Sequence, residues 1–194
     1  DAAGGKNIKF QRLSLEQGLS QAFVTSILQD RRGFMWFGTQ EGLNRYDGYG
    51  FRIYRHDPND PTSLPANWVQ ALAEDRAGNL WVGTEGGGLA RFDPASDSFV
   101  RFRHDPADPK SLPGDRVRAL AVDRAGNLWV ATYESGLARF DPARGTFERF
   151  RHRPADPSSL ADDRVRAIHE DRAGNLWVGT LGGLHRLRRS DVAR

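Results

Sequence analysis

Apolar residues in this chain come in short stretches that are separated by Gly and Pro. In one representative part of the chain, the stretches are residues 69–74, 80–84, 88–93 and 99–103. Their length, their branched and aromatic content and their alternation with polar positions predict four short β-strands. No window has the apolar spacing of an amphipathic helix, and the frequent Gly and Pro residues would interrupt one, which excludes helical and leucine-rich repeats.

The same pattern recurs along the chain. Residues 75–84 read Asp-Arg-Ala-Gly-Asn-Leu-Trp-Val-Gly-Thr, and nearly the same ten residues return at 123–132, at 171–180 and, more diverged, at 30–39. The anchoring tryptophans, which are spaced by 45, 48 and 48 residues, are Trp36, Trp81, Trp129 and Trp177. A period in this range, with units too small to bury a core alone, indicates stacked or radially arranged repeats.

The residues between the stretches predict how the strands connect. Asp75, Gly78 and Asn79 favour a tight hairpin between the first and second strands. A glycine-rich corner follows the second strand, and an Asp-Pro pair ends the third, because Pro cannot donate to a continuing strand ladder. The link at residues 104–113 contains three prolines, which stiffen it.

Four antiparallel strands in a unit of about 40 to 50 residues, joined by one longer link, are typical of a β-propeller blade. We therefore predict an all-β fold, a β-propeller with four four-stranded blades of 45–48 residues, at approximately residues 23–56, 68–104, 116–152 and 164–188. Residues 8–189 form one propeller unit, residues 1–7 are a disordered or loosely held tail, and residues 190–194 are a second tail. Two sandwiches would not explain the near-constant period.

The last predicted blade is one strand short, and residues 8–14 supply a spare strand with alternating Ile8 and Phe10. This N-terminal strand would complete the last blade and remove an exposed edge. Closure within one chain gives a four-bladed monomer. Exchange between two chains gives an eight-bladed homodimer with two-fold symmetry, which small blades favour slightly. A third alternative is a piece of a longer propeller.

Composition narrows the functional classes. The net charge is +3 and 25 of the 28 basic residues are Arg, but acidic residues lie between them and no basic block of five occurs, so we expect no nucleic-acid partner. There is no Cys, hence no disulfide framework. The longest apolar runs have four or five residues, so we expect no transmembrane segment or signal peptide within this numbering.

The motif Asp-x-x-Gly-x-Leu/Met-Trp-Val/Phe-Gly-Thr, followed by Gly-Leu-x-Arg-Phe/Tyr-Asp, resembles the two-component regulator propeller repeat. That repeat is found in periplasmic sensor regions of hybrid histidine kinases and some diguanylate cyclases. The resemblance covers about residues 8–187, with Ala131 in place of Gly and Leu181 in place of an acidic residue. It implies a ligand-binding sensor module in the periplasm or outside the cell, with signalling carried out by other domains.

In a propeller, scaffold positions repeat and functional positions differ between blades. The variable positions that we expect at the mouth of the channel are Phe23, Trp68, Arg116 and Arg164 before each inner strand, and Gln40, Glu41, Glu85, Tyr133, Glu134 and Leu181 at the corner after each second strand. Trp68 and Tyr133 suit stacking on a sugar ring, and the two arginines suit a carboxylate or phosphate. The ligand is then a carbohydrate or a small anion.

The recurring residues are predicted to be scaffold. The four anchoring tryptophans fill the space between blades, and His56, His104 and His152 hold the links between blades. A structural or self-assembling propeller without a ligand, natural or designed, remains an alternative.

A further rival is an enzyme similar to the streptogramin lyases, which are also propellers, with His169 and Glu170 or His185 as candidate base. Ala173 stands where a helical zinc motif needs its second His, and no nucleophile with a paired base can be assembled. We therefore predict no catalytic residues, no metal and no cofactor.

Overall fold

A computed structural model describes residues 8–192, so the predicted tail at 1–7 and the last two residues of the predicted C-terminal tail lie outside the described part. The fifteen strands are β1 (Val24–Gln29), β2 (Met35–Thr39), β3 (Gly42–Tyr46), β4 (Phe51–Tyr54), β5 (Val69–Glu74), β6 (Leu80–Thr84), β7 (Gly88–Asp93), β8 (Ser98–Phe102), β9 (Val117–Val122), β10 (Leu128–Thr132), β11 (Gly136–Asp141), β12 (Thr146–Phe150), β13 (Val165–Glu170), β14 (Leu176–Thr180) and β15 (Gly183–Leu187). A 3-10 helix (Leu15–Gln17) precedes them and helix α1 (Arg189–Val192) follows.

The strands form four antiparallel sheets, each made of strands that are consecutive in the chain. We number these blades 1 to 4. Strands β1, β5, β9 and β13 begin their blades, and the first strands of consecutive blades pack side by side. This confirms the predicted all-β architecture with four propeller-like sheets, and places the predicted strands of blade 2 within one residue of β5 to β8.

The hairpin between the first two strands of each blade is held by one aspartate. In blade 2, Oδ1 of Asp75 accepts hydrogen bonds from the backbone N–H groups of Ala77 and Asn79, both at 2.9 Å. Its Oδ2 accepts from Asn79 Nδ2 and from Trp81 Nε1, both at 2.8 Å. Gly78 has a φ of 88°, which the tight turn requires. The indole N–H of the buried tryptophan is thereby satisfied within its own hairpin.

Three of the four anchoring tryptophans lie in the space between adjacent blades. Trp36 lies against Phe92 of blade 2 at 5.2 Å between ring centroids, and Trp81 lies against Phe140 of blade 3 at 5.0 Å. These two tryptophans and Trp129 are almost fully buried. Their blades approach so closely that a Cβ on Gly83 would lie 2.5 Å from the Val117 side chain.

The recurring histidines hold the links between blades. His104 Nδ1 lies 2.9 Å from the carbonyl oxygen of Leu112, and His56 and His152 make the same contact with the leucine eight residues further on. Because each leucine is buried in the core between two blades, the bond fixes the link against that core. Their predicted scaffold role is confirmed.

The predicted strand at residues 8–14 is not present. These residues have no strand pairing, and Phe10 is 95% exposed. Ser14 instead caps the 3-10 helix through a capping box with Gln17, and the backbone N–H of Ser20 donates to Asn44 Oδ1 at 2.8 Å. The second contact joins the residues that follow this segment to blade 1.

Blade 4 accordingly has three strands, and its β15 edge is unpaired within residues 8–192. No packing comparable to that of β1 on β5 joins β13 back to β1 in this described part of the chain. Residues 8–14 do not complete blade 4 within the described part of the chain, and the number of blades in the closed ring stays a prediction. Completion of blade 4 by a partner chain stays a prediction. Residues 190–192, predicted as tail, form most of α1, and Arg139 donates to the carbonyl oxygen of Val192 at 2.7 Å.

Candidate functional site

The two predicted sets of variable positions lie at the same end of each blade. The backbone N–H of Glu85 donates to the carbonyl oxygen of Trp68 at 2.9 Å, and that of Tyr133 donates to Arg116 at 2.8 Å. In blade 4 the same bond joins Leu181 to Arg164 at 3.2 Å. We call this end of the blades, where the first strand begins and the second strand ends, the rim.

On blades 3 and 4, the rim gathers arginines around one aromatic ring. The guanidinium carbon of Arg116 lies 4.6 Å from the centroid of the Tyr133 ring, and those of Arg166 and Arg118 lie at 5.2 and 5.8 Å. Arg166 belongs to blade 4 and the other two to blade 3, so the cluster bridges the two blades. A cation over an aromatic face is attracted by the ring quadrupole, which favours this arrangement.

The two arginines that were predicted to bind an anion already form ion pairs with carboxylates. Arg116 pairs with Glu85, and its Nη1 lies 3.6 Å from Glu134. Arg164 pairs with Asp162, and both residues lie directly before β13. Hydrogen bonds from the side chain and the backbone of Arg164 lower the pKa of Asp162 to about 2, so this carboxylate stays charged at neutral pH.

Arg118 and Arg166 are functional candidates that the sequence reasoning missed. Arg118 lies 3.6 Å from Glu85, whereas no carboxylate of residues 8–192 lies within 4.0 Å of the exposed Arg166 side chain. Both residues directly follow the recurring Val at the start of their strands, where blades 1 and 2 carry Thr25 and Gln70. A comparison of this position between the four repeats, like the one that gave the other rim residues, would have found both arginines.

On blades 1 and 2, the rim carries exposed aromatic side chains. Phe23 is 59% exposed and Trp68 is 39% exposed. Gln40 is engaged by Gln21, whose Nε2 donates to Gln40 Oε1 at 3.5 Å. Glu41 lies on the exposed turn after β2, and its backbone N–H donates to a threonine hydroxyl. The rim therefore has an aromatic half on blades 1 and 2 and a cationic half on blades 3 and 4.

The four repeats match the repeat of a known family. The two component regulator propeller model matches residues 18–41, 63–86, 111–134 and 159–182, and each match begins just before the buried leucine of a link and ends at the rim corner.

The chain belongs to the two-component regulator propeller family.

Two relatives agree with this assignment. This regulator propeller is 33% identical to the extracellular domain of a putative hybrid two-component system from B. thetaiotaomicron, with a TM-score of 0.84 over 93% of this chain and 25% of that one. It is 45% identical over 62 residues to histidine kinase P4 of Formosa agariphila, which is 32% of this chain and 4% of that protein. The chain thus spans a quarter or less of these relatives. The periplasmic or extracellular location implied by the repeat agrees with the first of them.

A more distant likeness concerns the enzyme alternative. Virginiamycin B lyase from Staphylococcus aureus is 15% identical, with a TM-score of 0.58 over 88% of this chain and 57% of the lyase, which shows a shared fold and nothing more. The candidate bases of the regulator propeller lie apart: His185 Nε2 accepts from the backbone of Ala161 at 3.1 Å, whereas His169 is exposed on β13. Among residues 8–192, no three His, Asp or Glu side chains are placed to hold a metal.

Two cavities adjoin blade 4 and lie away from the rim. One of about 900 Å³ lies between blades 3 and 4 and is lined in part by Phe140, Leu176 and Val192. The other, of about 490 Å³, runs along the unpaired edge of β15. Neither is lined by a predicted rim residue. None of the helices in residues 8–192 is long and apolar enough to span a bilayer.

Proposed function

We propose that this regulator propeller is a non-catalytic, ligand-binding part of the periplasmic or extracellular sensor region of a two-component or cyclic-di-GMP signalling protein. The observation that supports the proposal is the cluster on the rim of blades 3 and 4, where Arg116, Arg118 and Arg166 surround the Tyr133 ring. The proposed ligand is a carbohydrate or a small anion.

The two halves of the rim suit different parts of such a ligand. The exposed Trp68 ring offers a flat apolar face of the kind that stacks on a sugar ring. Because Arg116, Arg118 and Arg164 already lie within 4.0 Å of carboxylates, Arg166, whose guanidinium lies against Tyr133, is the residue that we expect to bind the anionic group of a ligand. Glu85, Glu134 and the other paired acids then hold the arginines in position.

The rim also supports a binding role more than a catalytic one. Asp162 accepts from Arg164 and Glu85 accepts from Arg116, so neither carboxylate is placed as an unpaired general base. The candidate histidines of an enzyme lie on β13 and β15 and do not form a nucleophile–base pair.

The experiment is calorimetric titration of the chain with neutral oligosaccharides, uronic-acid oligosaccharides and inorganic phosphate. We expect Arg166→Gln to weaken binding of the acidic ligands about tenfold or more, since a charge-assisted hydrogen bond contributes about 1.5–3 kcal/mol. Trp68→Ala should weaken binding of every sugar and leave phosphate unaffected.

Arg144→Gln is the matched control. Arg144 lies on the β11–β12 turn, at the end of blade 3 opposite the rim, and among residues 8–192 it forms an ion pair only with Asp141. Equal losses in Arg144→Gln and Arg166→Gln would contradict the proposed site. Absence of binding to all three ligand classes would contradict the proposed function and favour a structural propeller.

A further inference from the structure

The corner between β10 and β11 holds a glutamate in a backbone conformation that favours glycine. This corner reads Tyr-Glu-Ser at 133–135, and the equivalent corner of blade 2 reads Glu-Gly-Gly at 85–87. Glu134 therefore stands in the place of Gly86, and the two residues have φ values of 79° and 87°. Because a Cβ clashes with the backbone in this region, a glutamate there is disfavoured unless something compensates for the strain.

Asp97 shows how such strain is compensated within a fold. Among residues 8–192, Asp97 and Glu134 are the two non-glycine residues with a positive φ, and the equivalent of Asp97 in blade 3 is Gly145. The carboxylate of Asp97 accepts a hydrogen bond from the Tyr54 hydroxyl at 2.8 Å and pairs with Arg52, both of blade 1. Contacts across a blade junction therefore offset the strain at Asp97.

Glu134 has no comparable contact in the described part of the chain. Its side chain is 60% exposed, and its carboxylate lies 3.6 Å from Nη1 of Arg116, which already pairs with Glu85. An ion pair this exposed contributes little to stability. The strained residue thus presents a carboxylate to solvent at the edge of the arginine cluster on Tyr133.

The repeat explains why Arg166 has no carboxylate nearby. Arg118 of blade 3 lies 3.6 Å from Glu85, which is the first corner residue of the preceding blade. Arg166 is the equivalent residue of blade 4, and the first corner residue of its preceding blade is Tyr133. An aromatic ring, 5.2 Å from the guanidinium carbon of Arg166, thus stands in the place of that carboxylate. The free guanidinium is a property of the junction between blades 3 and 4.

The charges of the cluster match a ligand with a single negative charge. The cluster contains three arginines and two glutamates, which are Arg116, Arg118, Arg166, Glu85 and Glu134. One net positive charge remains, which a monoanion neutralises and a dianion exceeds. A ligand that covers the exposed Glu134 carboxylate also displaces its water, which costs free energy unless the ligand donates a hydrogen bond.

We propose that Glu134 is a specificity-determining residue of the rim, which accepts a hydrogen bond from a hydroxyl that the ligand carries beside a carboxylate bound by Arg166. This inference rests on the proposed function of the rim and narrows its ligand to a hydroxylated monocarboxylic acid. A dianion without a donor group, such as sulfate, is disfavoured because Glu134 repels it. A carboxylate on an apolar body is disfavoured because it leaves the covered acceptor unpaired.

Titration calorimetry of the chain with three probes tests the inference. Quinate and cyclohexanecarboxylate share a six-membered ring and a carboxylate, but only quinate carries hydroxyls, and sulfate is a dianion without a donor. The unmodified chain should bind quinate about tenfold more tightly than cyclohexanecarboxylate, the factor expected from one hydrogen bond to a charged group. Glu134→Gly should remove this preference and strengthen the binding of sulfate.

Asp97→Gly is the matched control. Both substitutions replace an acidic residue at positive φ by the glycine that another blade has at the same place. Asp97 lies on the β7–β8 turn, at the end of blade 2 opposite the rim. Loss of its contacts with Arg52 and Tyr54 should lower the melting temperature and leave the preference for quinate unchanged. Glu134→Gly should not lower the melting temperature, because it relieves strain that no contact of the fold offsets.

The outcomes separate this inference from the proposed function. No preference for quinate in the unmodified chain, or the same preference in Glu134→Gly, would overturn the inference. A fall in melting temperature as large as that of Asp97→Gly would give Glu134 a structural role and overturn it as well. Binding of neutral oligosaccharides without binding of quinate would overturn it and leave the proposed function standing. Absence of binding to the oligosaccharides and to all three probes would overturn both.

Discussion

Blades 3 and 4 contain the same hairpin sequence in two different surroundings. Asn-Leu-Trp-Val occurs in both, yet Trp129 is fully buried and Trp177 is partly exposed. Trp129 is covered by blade 4, whereas no blade follows Trp177 within residues 8–192. The hairpin fixes the direction of the tryptophan, and the neighbouring blade supplies its burial. In such repeats, stability divides into a part within each unit and a part between neighbours.

The largest expected change in the free energy of unfolding comes from removing a tryptophan that is buried between two blades. Trp81→Ala should reduce the free energy of unfolding by about 3–5 kcal/mol, because it removes a buried indole that packs on Phe102 and Phe140. Trp177→Ala, which makes the same change on the open face, should lower it by about 1 kcal/mol in the monomer. Urea denaturation of both variants measures the difference, and equal losses would contradict the division between junction and open face.

A smaller effect concerns the part of stability that lies within each blade. Burial opposes ionisation of Asp123, but the hydrogen bonds from Trp129 and Asn127 outweigh it and lower the pKa of Asp123 below its ordinary value. A carboxyl whose pKa is lowered on folding stabilises the fold above its unfolded pKa of about 4 and loses that contribution as pH falls through the folded value.

We therefore expect Asp123→Asn to destabilise the fold by about 1–3 kcal/mol at pH 7, because the new amide has fewer acceptor atoms for the surrounding N–H groups. The difference from the unmodified chain should narrow as the pH falls below about 4. Thermal melts followed by circular dichroism between neutral and acidic pH measure it. A difference that stays constant across this range would show that the carboxylate charge contributes nothing.

The smallest expected effect compares two arginines at equivalent positions. Arg31 reaches into blade 2, where its Nε lies 3.0 Å from Glu74 and its Nη2 donates to the carbonyl oxygen of Asp75 at 2.7 Å. The side chain of Arg172 has no such partner in the described part of the chain. Arg31→Ala should lower the unfolding free energy by up to about 1 kcal/mol and Arg172→Ala by almost nothing, measured in the same urea titrations. A larger loss in Arg172→Ala would reverse the comparison.

The parts of the fold that the sequence predicted correctly depend on local chemistry. The Asp-x-x-Gly turn, the short apolar strands and the Asp-Pro ends act within a few residues, so one repeat determines one blade wherever it occurs. The strand at residues 8–14 was wrong for the single chain because its pairing partner is distant, and alternation at Ile8 and Phe10 does not supply that partner.

For the candidate residues, the sequence predicted which of them lie at the same end of a blade, but not their ion pairs. Repeat equivalence correctly brought Trp68 to the same rim as Glu85, since both positions are fixed by the strand register. It did not reveal that Arg116 is already paired with Glu85, because ion pairs between blades depend on the approach of two repeats. Whether these residues bind a ligand stays a prediction.

The hydrogen bond from each tryptophan to the aspartate six residues before it has a consequence for how such proteins change over time. It forms at 2.8–2.9 Å in all four blades, including the one with an open face, so it needs nothing from outside the hairpin. A duplication or deletion of one whole repeat therefore leaves this tryptophan–aspartate bond intact in every remaining repeat. The number of blades can therefore vary among related proteins while the structure of the single blade stays the same.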